Sequence, residues 1–194
     1  AAELFTDAGG LNRTPANYLM KIFGDASYAV TAFTAASRRV PESVRLCYCD
    51  HSLFEAQKAS RVKEFIAAVR SADGKARVDE IGIISHLAAD WPDRKAFFDA
   101  CRDFSSLQLG VQIQQLDMAV RGGTAGGRAY YDFMQACVQN ASYIQGVSFR
   151  AVLASEETEF VDYMRSPLFS SDYSCTENFD QIIEASGRRT GGRQ

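Results

Sequence analysis

Four clusters that place a phenylalanine among small or apolar residues recur at nearly even spacing, and this spacing constrains the fold more than any other feature. They are Ala32-Phe33-Thr34-Ala35-Ala36, Glu64-Phe65-Ile66-Ala67-Ala68, Phe97-Phe98-Asp99-Ala100-Cys101 and Asp132-Phe133-Met134-Gln135-Ala136. The phenylalanines Phe33, Phe65, Phe98 and Phe133 lie 32, 33 and 35 residues apart, and Phe160 adds a shorter step of 27. Each cluster sits in a run with apolar residues at helical spacing. Arg38, Arg70 and Arg165 each follow their phenylalanine by five residues, where a cation favours the end of a helix dipole.

The residues between the clusters also read as helices. Glu42 to Asp50, Val78 to Ala89, Leu109 to Val120 and Tyr143 to Leu153 each place apolar side chains on one stripe, as Ile81, Ile84 and Leu87 do. Pro15 to Phe23 pairs in the same way with Ser27 to Arg39, and Glu156 to Met164 supplies a fifth second helix. Ser52 and Glu55 form a capping box that opens a long helix. A unit in the low-to-mid thirties with two helices predicts an all-α fold. The expected architecture is a short α-solenoid of about five helix-turn-helix repeats plus a C-terminal helix near Glu177 to Ala185. Its parts are an N-terminal extension (1–13), a repeat array (14–168), a C-terminal helix region (169–187) and a basic tail (188–194), with Phe33, Phe65, Phe98 and Phe133 in one continuous core.

Composition narrows the function classes. The chain of 194 residues has 21 Lys+Arg against 24 Asp+Glu, a net charge of -3, which lacks the basic surplus that phosphate neutralisation asks of a nucleic-acid binder. No window approaches the roughly 18 apolar residues of a membrane span. Five cysteines in a chain of this size read as reduced, mostly buried thiols rather than a disulfide framework. The sequence begins at Ala1 without a Met, which suggests a processed form; with reduced thiols, that favours an organelle matrix.

The units resemble pentatricopeptide repeats, whose second helix has a small residue followed by an aromatic and ends in basic residues. The resemblance covers roughly residues 14 to 165. At the positions comparable to that family's base-reading ones, Asn17, Arg45, Asp79 and Ile113 show no consistent hydrogen-bonding choice. Short, acidic, degenerate chains of this kind are similar to an all-helical accessory subunit of euglenozoan mitochondrial ATP synthases. What that resemblance implies is a non-catalytic, protein-binding subunit in the mitochondrial matrix, attached to the catalytic head through the α subunit, without cofactor or metal. Expected partner contacts are Phe5, Trp91, Arg128 and the tail residues Arg188, Arg189 and Arg193. The alternatives are an organellar RNA-binding repeat protein and a nucleotide-binding enzyme using the loop Gly122 to Gly127.

Three constellations carry possible chemistry. Cys47-Tyr48-Cys49-Asp50-His51 holds two thiols and an imidazole, all zinc-ligand types, but on a helix residues two apart diverge, so the expectation is buried Cys47 and surface Cys49 without metal. His86 with Ser85 and Asp90 suggests a local pair or cap, since no Gly-x-Ser-x-Gly elbow accompanies it. Gly122-x4-Gly127 has phosphate-loop spacing, yet Arg128-Ala129 stands where Lys and Ser/Thr are needed, so a turn or partner-contact loop is expected. Glu156, Glu157 and Glu159 read as helix-start carboxylates or part of an acidic docking face.

Overall fold

The computed structural model describes residues 3–88, 91–120, 126–150, 152–153, 164–165 and 167–187. Its elements are α1 (Tyr18–Phe23), α2 (Ser27–Arg39), β1 (Cys47–His51), α3 (Ala56–Ala72), β2 (Glu80–Ala88), α4 (Arg94–Ser105), β3 (Gly110–Val120), α5 (Gly126–Gln139), β4 (Ile144–Phe149), β5 (Met164–Arg165) and α6 (Glu177–Ala185). The strands form one sheet in the order β1-β2-β3-β4, with β5 antiparallel on β3. β1 runs parallel to β2 in a register that sets Cys49 opposite Gly82 and His51 opposite Ile84. No helix among the described residues is long and apolar enough to cross a membrane.

The all-α solenoid is therefore wrong. The segments expected as second helices are α2, α3, α4 and α5, and the expected helices at Pro15 to Phe23 and Glu177 to Ala185 contain α1 and α6, but the other segments expected as first helices contain β1, β2, β3 and β4. The unit of about thirty-odd residues is strand plus helix, the length of a βαβ crossover. Ile81, Ile83 and Leu87 are all buried, and strands buried on both faces read as continuous apolar runs without clean alternation. Ile81, Ile84 and Leu87 fit a helical stripe equally well. Gly122 to Ala125, Glu156, Glu157, Glu159, Phe160 and the tail arginines Arg188, Arg189 and Arg193 lie outside the described residues.

Two compact units are present. One comprises residues 1–84 and 95–112, the other 85–94 and 113–194. In the first, Phe65 on α3 is the hub. Its ring meets Phe5 at 6.5 Å, Phe33 at 5.9 Å and Tyr48 at 5.2 Å between centroids. These aromatic pairs pin α2, β1 and the segment around Phe5 to one helix face, and edge-on contacts add about 0.5–1.5 kcal/mol beyond area burial. Phe97 stacks near Phe54 and Phe98 at 5.7 and 5.4 Å.

The segment around residues 3–12 is held by backbone chemistry. Gly9 has φ +75, and a Cβ there would lie 2.9 Å from the Gln57 carbonyl oxygen, so only glycine permits this approach to α3. Buried Asn17 donates through Nδ2 to the carbonyls of Glu3 (3.1 Å) and Asn12 (2.9 Å), while its Oδ1 caps α1 at the Met20 amide. At the start of α3 the expected capping box is absent. Glu55 makes no side-chain cap bond, and the Ser52 hydroxyl pairs with His51 Nδ1 at 3.0 Å.

In the second unit, α5 packs on α6, with Gln135 Nε2 donating to the Ala185 carbonyl at 3.2 Å. Phe133 and Tyr130 on α5 are fully buried. The Arg94 guanidinium lies 4.8 Å over the Phe133 ring, a cation–π contact that offsets part of its desolvation. Burial nonetheless pulls the Arg94 pKa down and pushes the Cys137 thiol up to about 12.

Candidate active site at the strand ends

Each unit gathers ionisable side chains at the C-terminal end of a strand. In the first unit the end of β1 supplies Asp50 and His51. Because Asp50 alternates with His51 across the strand, its carboxylate turns toward α3, where the side chains of both Lys58 and Asp50 are 0% exposed. Lys58 Nζ bonds Asp50 Oδ1 at 3.0 Å, and the Tyr48 hydroxyl donates to Asp50 Oδ2 at 2.7 Å. Burial, then the neighbouring Asp50 carboxylate, raises the Tyr48 pKa. So Asp50 is committed to neutralising a buried lysine, which an unpaired interior charge requires.

The more accessible groups lie around the same lysine. Lys58 Nζ also reaches Glu3 Oε2 (3.4 Å), Asp7 Oδ1 (3.5 Å) and His51 Nδ1 (3.3 Å). His51 Nε2 pairs with Glu3 Oε1, and His51 Nδ1 lies 3.5 Å from Asp7. The side chains of Glu3 and Asp7 are 30% and 57% exposed. This is a carboxylate pair that water and a ligand can reach, oriented by an imidazole and an ammonium.

In the second unit the end of β2 supplies His86, whose Nδ1 lies 2.8 Å from Asp117 Oδ2 on β3. Asp117 is 7% exposed at its side chain and His86 38%. The aspartate is turned inward by a break in strand alternation. Gln115 has φ 51, and its amide donates to Ser148 Oγ at 3.2 Å. Val111 and Ile113 alternate with half-exposed Gln112 and Gln114 before it, whereas Leu116, Asp117 and Met118 are all buried after it. The Tyr130 hydroxyl accepts from the Met118 amide at 3.3 Å and is itself raised in pKa by burial.

The sequence-based candidates fall elsewhere. Phe5 is buried against Phe65, so it is not a surface contact. Trp91 is 46% exposed, next to a short antiparallel bridge to Ala88. Arg128 is exposed, paired with Asp132 at 3.0 Å and lying 4.9 Å over the Tyr131 ring. Ser85 is buried while His86 is half-exposed, because neighbours on a strand face opposite ways; Asp90 lies outside the described residues. Gly126 and Gly127 open α5 rather than ending a loop.

Glu3, Asp7, Lys58 and Asp117 were missed. Lys58 carried a signal, because it sits four residues before Val62 on the apolar stripe of α3, where a lysine has no place unless paired. Asp117 carried one too, as an acid inside the run from Leu109 to Val120. Glu3 and Asp7 carried none.

The sequence profile of glycosyl hydrolase family 10 matches residues 1–185. The chain is 26% identical over 183 residues to the bifunctional endo-1,4-beta-xylanase XylA of Ruminococcus flavefaciens, covering 93% of this chain and 19% of that protein. Among solved structures, native xylanase 10B from Thermotoga maritima superposes with a TM-score of 0.80 at 21% identity, over 94% of this chain and 57% of that one. Penicillium canescens endo-1,4-beta-xylanase XylE gives 0.81 at 18%, over 97% and 60%. The chain thus spans less than two thirds of the length of these relatives.

These matches overturn the pentatricopeptide resemblance. The ATP synthase accessory role, the α-subunit partner, the mitochondrial matrix location and the non-catalytic reading are replaced by a glycosidase family. The RNA-binding and nucleotide-enzyme alternatives fall with them. Strands alternating with helices, with ionisable groups at the strands' C-terminal ends, make the arrangement of a β/α barrel, of which the chain holds part. With a family profile running over nearly its whole length and that fold beneath it, the chain belongs to glycosyl hydrolase family 10.

Proposed function

We propose that the chain is part of a module that hydrolyses the β-1,4-linked backbone of xylan, each unit offering its own candidate acids: Glu3 and Asp7 in the first, Asp117 in the second. The observation that carries this reading is that Glu3 and Asp7 gather on His51 at the C-terminal end of β1, and Asp117 on His86 toward the C-terminal end of β2, the face on which barrel enzymes act. The substrate class is suggested by the relatives, which are xylanases by name.

Cleavage of a glycosidic bond needs a carboxyl group to protonate the leaving oxygen and a second carboxylate to attack the anomeric carbon or activate water. Asp7 and Glu3 are the accessible acids around Lys58, and His51 and Lys58 fix their positions. Asp50 is excluded from the reaction by its complete burial under Lys58. Asp117 is held in one orientation by His86. The exposed Gln115 amide beside it donates and accepts hydrogen bonds without exchanging a proton, which suits recognition of sugar hydroxyls rather than acid–base work.

The test is release of reducing ends from β-1,4-xylan by the folded chain, compared with Asp7→Asn and Asp117→Asn. Loss of a positioned acid or base is expected to lower turnover by roughly 10²–10⁴-fold while leaving the thermal unfolding midpoint within a few degrees. Unchanged turnover in both variants, or no hydrolysis of xylan by the chain, tells against the assignment.

A further inference from the structure

Cys47 and Cys49 lie two residues apart in β1. On a helix such side chains diverge, but on a strand they share one face. Their Sγ atoms are 3.5 Å apart. That is well beyond the ~2.05 Å of a disulfide, yet close to the separation of two thiolates on one tetrahedral ion. With a metal–sulfur bond of ~2.3 Å and a tetrahedral angle of ~109°, two sulfurs sit ~3.8 Å apart. A shift of a few tenths of an ångström therefore turns the observed pair into a chelate.

The surroundings leave room for it. Cys49 is exposed and Cys47 partly so. The residue opposite Cys49 in the register is Gly82, which places no side chain beside the thiol. Opposite Cys47 is Glu80, an acid whose carboxylate lies 3.4 Å from Arg45 Nε and adds negative charge near the pair. The other cluster of ligand types among the described residues, Glu3, Asp50 and His51, is a poorer host. The Lys58 ammonium already lies 3.0 Å from Asp50 and 3.4 Å from Glu3, so a metal ion there would meet a fixed positive charge.

We propose that Cys47 and Cys49 form a two-thiolate site for a thiophilic divalent cation of the zinc and cadmium class, separate from the hydrolytic groups. Binding replaces two S–H bonds by two metal–sulfur bonds and releases two protons, with no change of oxidation state. Water fills the remaining positions of the ion, so affinity is well below that of a four-ligand structural site.

Cadmium is the probe, because its thiolate complexes absorb in the ultraviolet. Titration of the reduced chain with Cd²⁺ is expected to give a thiolate-to-metal absorption band that saturates at one ion per chain. Cys47→Ser and Cys49→Ser should each abolish at least nine-tenths of the band, whereas Cys175→Ser should retain it in full. Far-ultraviolet circular dichroism of each variant confirms the fold independently of any xylan assay. Absence of the band in the folded chain, or its survival in both Cys47→Ser and Cys49→Ser, overturns the site.

Discussion

The β1 end of the first unit and the His86–Asp117 pair of the second solve the same problem differently. Both bury an aspartate near a strand terminus, where its charge needs a partner. In the first unit the partner is Lys58, as inaccessible as Asp50 itself, and the surplus of ligands around it recruits Glu3, Asp7 and His51. In the second, Asp117 is paired with His86, which is 38% exposed. The first arrangement ties a charge network to the core. The second leaves one partner in water, where solvent can take its place.

The largest expected difference follows from that contrast. Lys58→Met leaves Asp50 buried without its ammonium, and breaking a buried pair costs about 3–5 kcal/mol. Urea denaturation should show a loss of this size, and Lys58→Met combined with Asp50→Leu should recover most of it. Equal destabilisation in the single and double variants would break the account of Asp50 as the lysine's counter-charge. His86→Ala is expected to cost only about 1 kcal/mol in the same measurement, since water replaces a half-exposed imidazole. A loss as large as that of Lys58→Met would erase the distinction between the two regions.

The smallest effect is a titration in the second unit. Hydrogen bonds from the hydroxyls of Ser170 and Ser174, then from the Ser174 amide, lower the Asp172 pKa from 3.8 to about 2. A depressed carboxylate contributes its stabilisation fully above pH 3.8 and loses it as pH falls through about 2, since only the charged form accepts all of those bonds. Nuclear magnetic resonance titration of the Asp172 carboxyl should give a midpoint near 2 that moves upward in Ser170→Ala. A midpoint near the ordinary aspartate value would show that this turn does not form in solution.

Much of the helical half of the fold was legible. The phenylalanines Phe33, Phe65, Phe98 and Phe133 mark α2, α3, α4 and α5, because a long amphipathic run leaves its period in the sequence. The strands were read as the wrong element. β1 has five residues and β4 six, too short for periodicity to separate strand from helix. β2 hides its period because neighbouring residues Ile81, Gly82 and Ile83 are all buried. The one clear alternation, Val111-Gln112-Ile113-Gln114, is a strand signal, but glutamine is a good helix former and short apolar runs fit either element.

Sequence alone determined the repeat length and the helix faces, because both depend on residues close together along the chain. It could not determine whether the partner of each helix was another helix or a strand, since units of similar length serve both architectures. The sites were decided by tertiary structure. His86 meets Asp117 across 31 residues, and Lys58 meets Glu3 across 55. Such pairs depend on strand register, on the left-handed turn at Gln115 that redirects Asp117, and on the close approach at Gly9 that brings the segment carrying Glu3 and Asp7 against α3. Each is a consequence of how distant segments pack. Local propensity contains no record of it.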